Sequence, residues 1–153
     1  MEPKHATATV AMEPDALFTW LSNVENWPRV FEDLEQVEQL GYHRYRFLIR
    51  VANHERMVDV AITSDPHARR ISWKHLTGPV FDGTFWVSPV GETRSKVELA
   101  LHLAPQGFLE GVIDAIGREG AMGWLAGRQL QRLQEQVKRG AIRAPRMAGE
   151  RPA

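Results

Sequence analysis

The chain has 153 residues, enough for one ordinary domain and too few for two with separate cores. Apolar residues make up 43% and charged residues 25%, the mix of a folded globule, while 19 basic and 19 acidic residues cancel, unlike the basic excess of a nucleic-acid binder. There is no cysteine, which excludes disulfides, thiolate metal sites, iron–sulfur clusters and cysteine nucleophiles.

The charge is unevenly placed. From Lys138 onward, Lys138, Arg139, Arg143, Arg146 and Arg151 face only Glu150, a net of +4, and residues 1–137 carry 14 basic against 18 acidic side chains. No stretch approaches the ~20 consecutive apolar residues that span a bilayer. The opening MEPKHATATV lacks the apolar core of a secretory signal. The expectation is a cytoplasmic protein with no stable membrane insertion and no nucleic-acid partner.

In chain order, residues 5–12 alternate Ala6, Ala8 and Val10 against Thr7 and Thr9, the period of a strand. Glu13-Pro14-Asp15 opens a helix whose apolar face holds Leu17, Phe18 and Leu21, with Trp20 at its edge. Ser22-Asn23 interrupts, and a second short helical piece starts at Glu25-Asn26-Trp27-Pro28 and carries Val30 and Phe31. From residue 34 to 105 the pattern is β. Tyr45, Phe47, Ile49 and Val51 alternate with Arg44, Arg46 and Arg50, and Val58, Val60 and Ile62 alternate with Met57, Asp59, Ala61 and Thr63. Further strands run through Ile71-Ser72-Trp73-Lys74-His75, residues 80–87, and the alternation of Val97, Leu99, Leu101 and Leu103. Turns at residues 64–67 and 89–92 make this a meander of antiparallel neighbours.

Residues 106–139 return to helical spacing. Leu109, Val112, Ile113 and Ile116 form one stripe, and Met122, Ala126, Leu130, Leu133 and Val137 form another. Between them lie Gly117, Gly120, Gly123 and Gly127, each costing a helix ~1 kcal/mol against alanine, which points to a kink, a break or a close backbone approach. Residues 140–153 read as a flexible basic tail, leaving 1–139 as the folded unit. The order is strand, two short helices, about six strands and one long helix. This is an α+β chain in which a curved antiparallel sheet wraps a long C-terminal helix and two short helices close one end. The space between sheet and helix is either a core or a cavity.

That order, with several local patterns, resembles the START/Bet v 1-like (SRPBCC) superfamily and its helix-grip fold, and more narrowly the polyketide cyclase/dehydrase and coenzyme-Q-binding START branch. The residues carrying the likeness are Pro14 with Leu17-Phe18 and Leu21-Ser22-Asn23, then Val24-Glu25-Asn26-Trp27-Pro28 with Phe31. Ile71-x-Trp73, Gly78, Gly83-Thr84-Phe85-Trp86-Val87, and residues 93–105 ahead of the helix complete the set. The resemblance covers roughly residues 5–139. It implies a deep, mostly apolar pocket between sheet and helix that holds a lipid, a quinone, an aromatic polyketide or a hormone, with a minority of members doing chemistry on what they bind. Cyclases of this kind depend on an arginine in the strand before the turn at Asp65-Pro66, and many carry a tyrosine after the second short helix. Here those places read Val58-Asp59-Val60-Ala61-Ile62-Thr63 and Glu32-Asp33-Leu34, with neither residue.

Candidate pocket walls are Trp27, Phe31, Phe47, Val60, Trp73, Phe85, Leu99, Leu101, Met122 and Leu125, with Trp124 close by; the aromatic ones offer flat, rigid surfaces to a ring-bearing ligand, and each also fits an ordinary core position. His75 shares strand parity with Ile71 and Trp73, so it is placed inward, near the pocket mouth, as an acid–base group or as a partner for a ligand carbonyl. His102 lies opposite Leu99 and Leu101 and is placed in solvent. Asp59 is either a buried general acid or, more simply, an outward-facing carboxylate. Arg44, Arg46, Arg50, Arg56, Arg69 and Arg70 form either a headgroup or acidic-partner site, or a solvated outer face with Glu55 and Glu98 as counter-charges. No histidine spacing suits a metal, no phosphate loop is present, and no cofactor is expected. Three functions follow: binding of a hydrophobic small molecule, a polyketide aromatase/cyclase or dehydrase, and a non-catalytic interaction module with a filled core whose basic face or tail docks an acidic partner.

Overall fold

The computed structural model describes residues 4–51, 54–78, 80–103 and 118–140, with side chains omitted at 4, 51, 54, 103 and 118–125. Seven strands form one antiparallel sheet: β1 (Lys4–Val10), β2 (Leu34–Gly41), β3 (Arg44–Val51), β4 (His54–Asp65), β5 (Arg70–Thr77), β6 (Phe81–Pro89) and β7 (Ser95–Leu103). Their order across the sheet is β1-β7-β6-β5-β4-β3-β2, so the first two strands lie at opposite edges. The connection between them is made by helix α1 (Pro14–Ser22) and a 3₁₀ helix (Val24–Arg29). Helix α2 (Arg118–Lys138) packs mainly on β1 and β7. This is the helix-grip α+β fold expected from the order of elements.

Local chemistry accounts for the boundaries. The Glu13 carboxylate caps α1 by accepting from Asp15 N–H at 3.0 Å, and Pro14 occupies the first turn, where no intrahelical donor is needed. The strand expected over residues 5–12 stops at Val10, because Met12 N–H folds back to the Val10 carbonyl at 2.9 Å. Strand β4 runs on to Asp65, paired with Arg70, and the turn follows at residues 66–69. There the Asp65 carboxylate accepts from His67 N–H at 3.1 Å and Ala68 N–H at 3.3 Å. Gly140, at φ 73°, ends α2 in the left-handed region that glycine adopts without strain.

The inward face of α2 follows the expected stripe: Ala126, Leu130 and Leu133 are buried, and Val137 packs partly against them. Polar side chains lock the helix onto its neighbours. Gln129 accepts from Glu32 N–H at 2.9 Å, Gln134 donates to the Thr9 carbonyl at 2.7 Å, and Arg128 forks onto the Glu32 carboxylate. Arg128 holds the Glu32 carboxyl below its ordinary range, whereas burial pushes that of neighbouring Asp33 up. At Gly127 an added Cβ would meet no atom of the described residues within 4 Å, so among them this glycine serves no close backbone approach. The glycines at 117, 120 and 123, the first stripe of residues 106–117 and the tail at 141–153 fall outside the residues or side chains described.

The outer face of the sheet is salt-bridged. Arg46 meets Asp59 at 2.8 and 3.1 Å, Arg70 meets Asp65 at 3.7 Å, and Arg50 pairs with Glu35 and Glu55, while at the end of the sheet Arg69, in the turn after β4, meets Asp15 of α1 at 2.8 Å. Asp59 therefore points outward, and the Arg46 guanidinium holds its carboxyl below the usual value. Glu98, expected as a counter-charge for the arginines, instead takes His5 across the β1–β7 pair at 3.3 Å.

Candidate functional site

Strand parity sends the buried apolar residues of β3 to β7 to one side, where they meet Trp27 of the 3₁₀ helix and Phe31 just after it. Trp27 stands at the centre. Its ring centroid lies 4.9 Å from Trp73, 5.6 Å from Phe31, 5.7 Å from Phe47 and 5.8 Å from Phe85, and its Nε1–H donates to the Leu21 carbonyl at 2.8 Å. Phe81 closes the ring of contacts, with centroids 5.7 Å from Trp73 and 6.1 Å from both Phe31 and Phe47. Tilted and edge-on pairs at these distances are favourable arrangements of aromatic quadrupoles.

Of the residues expected to line a pocket, Trp27, Phe31, Phe47, Trp73 and Phe85 converge in this cluster, and Val60, Leu99 and Leu101 are buried on the same side. Met122, Trp124 and Leu125 lie in the first half of α2, where side chains are outside those described. Phe81 is a member that the sequence pattern did not single out, although it shares parity with Phe85.

The Trp73 indole lies over Gly83, its β6 partner: a Cβ there would sit 2.3 Å from Cζ2 and 2.5 Å from Cη2. The missing side chain at Gly83 is what admits the bicyclic ring. Trp73 is 3% exposed, and its Nε1–H has no acceptor among the described residues. A buried indole N–H ordinarily finds a partner, since leaving a donor unsatisfied costs about 1–3 kcal/mol.

Beyond the Trp73–Gly83 pair, β5 and β6 no longer share a ladder. In the gap, the Asp82 carboxylate accepts from both His75 N–H and His75 Nδ1 at 2.8 Å. Because a carboxylate only accepts, Nδ1 carries the proton and Nε2 is left unprotonated in the neutral ring. His75 stands opposite fully buried Val60 on β4, next to a register shift between Asp59 and Val60. The pair is half-buried, with side-chain exposures of 28% and 24%. Asp82 was not foreseen as its partner. His102 lies on the outer face, half-buried rather than fully in solvent.

The inward positions Val58, Val60 and Ile62 of β4 are buried and apolar. The strand starts at His54, however, and so includes Arg56, which pairs with buried Ile49, shares their parity and is half-buried. Arg56 thus lies on the opposite side of the sheet from Arg44, Arg46 and Arg50, and the arginines do not form a single face. Among the described residues no cluster of three or more His, Asp or Glu side chains suits a metal ion, and no helix is long and apolar enough to cross a membrane.

Residues 5–138 match the family described as polyketide cyclase / dehydrase and lipid transport. The fold is similar to the Zhui aromatase/cyclase from a Streptomyces species (TM-score 0.71, 18% identity, covering 96% of this chain and 97% of that one). It is similar also to a protein from Thermus thermophilus (TM-score 0.70, 16% identity, 92% and 99% covered). A START superfamily protein from Mycobacterium smegmatis gives a TM-score of 0.66 at 15% identity, with 93% and 97% covered. At such identities the likeness establishes the fold. No curated protein matches the sequence.

Proposed function

The chain belongs to the polyketide cyclase/dehydrase and lipid transport family, and from that premise we propose that residues 1–139 bind a hydrophobic small molecule between the sheet and α2. The ligand class is a lipid, a quinone or an aromatic polyketide-like compound. The observation carrying this reading is the Trp73 Nε1–H, buried inside an aromatic cluster without an acceptor among the described residues. A ligand carbonyl or hydroxyl meeting that donor removes its desolvation penalty, and the surrounding rings supply flat apolar walls. Burial of ligand area then contributes at ~25 cal/mol per Å², before the costs of association.

The test is Trp73→Phe, which keeps an aromatic ring and deletes only the donor and the second ring. With menadione, a quinone, as the probe, affinity is expected to fall about ten-fold, while thermal stability changes little because the lost ring area and the removal of a buried donor without an acceptor among the described residues offset each other. Unchanged affinity in calorimetric titration would overturn the role given to this N–H.

A second reading, polyketide cyclase or dehydrase chemistry on the bound molecule, is favoured by the His75–Asp82 pair. A carboxylate on Nδ1 orients the imidazole and leaves Nε2 able to take a proton from a carbon between two carbonyls. On this reading His75→Ala lowers turnover of a poly-β-ketone about 100-fold and leaves menadione affinity intact. Equal loss of turnover and affinity would assign the pair to binding alone. The uncharged run of Val58, Val60 and Ile62 beside the aromatic cluster makes binding without chemistry the first reading.

A further inference from the structure

We propose that the outer face of the sheet, opposite the aromatic cluster, carries a second binding site that takes a flat aromatic carboxylate. Strand register builds it. Thr63 pairs with Ser72, Ser72 with Thr84, Thr84 with Ala100 and Ala100 with His5, so one row of mostly small side chains crosses five adjacent strands from β4 to β1. At ~4.8 Å per strand this row is a trough about 19 Å long. Larger side chains stand on both sides. Trp86 forms one bank, with the His5 ring at the end of the row lying near-parallel to it at 18° and centroids 6.2 Å apart, and Lys74, Asp82 and His102 form the other. The groove is open to solvent along its length and has a volume of about 510 Å³, within the range of sites for small organic ligands.

Two features select the ligand. The floor is largely methyl: Ala61, Ala100 and the threonine methyl groups, with Ser72 and Thr84 hydroxyls satisfying each other at 3.2 Å. It therefore suits the flat apolar face of a ring system, with the Trp86–His5 bank alongside. The second feature is charge. Asp82 lies one step past the Trp73–Gly83 pair, where it would neutralise Lys74 across the strands, yet its Oδ1 accepts two bonds from His75 instead. Among the described residues Lys74 makes no ion pair, whereas Arg46, Arg50, Arg69 and Arg70 on the same sheet and its turns all do. An ammonium left without its cross-strand carboxylate, at the rim of an apolar floor, is matched by the carboxylate of an aryl acid.

This site lies on the other side of the sheet from the proposed internal pocket and stands or falls independently of it. The test is calorimetric titration of the full chain with a naphthoate, alongside the uncharged parent naphthalene and two variants. Lys74→Gln removes the charge at similar length, and Ala100→Leu fills the floor from the outer side. The expected result is saturable naphthoate binding, weakened about five-fold or more by either substitution, with naphthalene binding more weakly than naphthoate. Amide resonances of Ser72, Thr84 and Ala100 shift on binding. No binding up to millimolar naphthoate overturns the proposal. Binding unaffected by both substitutions, or equal binding of naphthalene, overturns it as well and assigns the probe to the interior. Should Ala100→Leu fail to fold, Lys74→Gln with the naphthalene comparison decides the question.

Discussion

Trp27→Ala is expected to remove about 3–5 kcal/mol of folding stability, the range for truncating a buried tryptophan. The ring is fully buried and makes contact with Phe31, Phe47, Trp73 and Phe85, and deleting it also leaves the Leu21 carbonyl without the indole N–H it accepts. Against a typical total of about 5–15 kcal/mol, the melting temperature should fall by roughly 10 °C or more. Trp27→Phe keeps one ring and should cost less than half as much. The 3₁₀ helix that carries Trp27 joins α1 to β2, so the same side chain that anchors the core also fixes how that connection closes the end of the sheet. A thermal melt of Trp27→Ala within about 2 °C of the wild type would show that the cluster contributes little to the fold.

Gly83→Ala is the second large effect, and it arises from one added methyl group. The new Cβ would stand 2.3, 2.5 and 2.8 Å from Cζ2, Cη2 and Cε2 of Trp73. Four rings hem that indole in, with Trp27, Phe31, Phe81 and Phe85 centroids all within 6 Å, so it cannot shift without disturbing them. Overpacking of this kind costs about 1–3 kcal/mol, and the forced shift of the Trp73 N–H should lower ligand affinity as well. A double-mutant cycle identifies the cause. With Trp73→Leu in place the clash is gone, so Gly83→Ala should become nearly neutral, a strongly non-additive result. Additive costs would show that the glycine matters for a reason other than the indole above it.

These two residues also mark where sequence reading succeeds and where it stops. Alternation with period two is a local property, and it assigns Phe47, Val60, Trp73, Phe85, Leu99 and Leu101 to the inward faces of their strands from the sequence alone. The helical stripe through Ala126, Leu130 and Leu133 was equally legible, because burial of a helix repeats every three or four residues. Contacts across strands were not. That Gly83 sits under Trp73, that Asp82 turns to His75 rather than to Lys74, and that small residues align in a row across five strands all depend on register. Register is set by turn lengths and by the shift at Asp59/Val60, which no single segment reveals. Phe81 escaped notice for a related reason: it follows Gly78 and Pro79 at the start of its strand, where alternation has barely begun. The arginine pattern predicts a charged face with Glu55 as a counter-charge, and Arg50 takes it, but the further carboxylate partners, Asp15, Glu35, Asp59 and Asp65, come from other elements than their arginines.

Family membership and a buried Trp73 donor with no acceptor among the described residues are what support the proposal that the interior takes a ligand. Native mass spectrometry of the purified full chain, with organic extraction and then incubation with menadione, palmitate and an aromatic polyketide, addresses that interior directly. The expected result is a one-to-one complex with at least one of these compounds, retained in the gas phase, raising the melting temperature in solution, and diminished in Trp73→Phe. A mass corresponding only to the free chain, nothing recovered by extraction, and an unchanged melting temperature with every compound would contradict ligand binding and leave the aromatic cluster as a closed core.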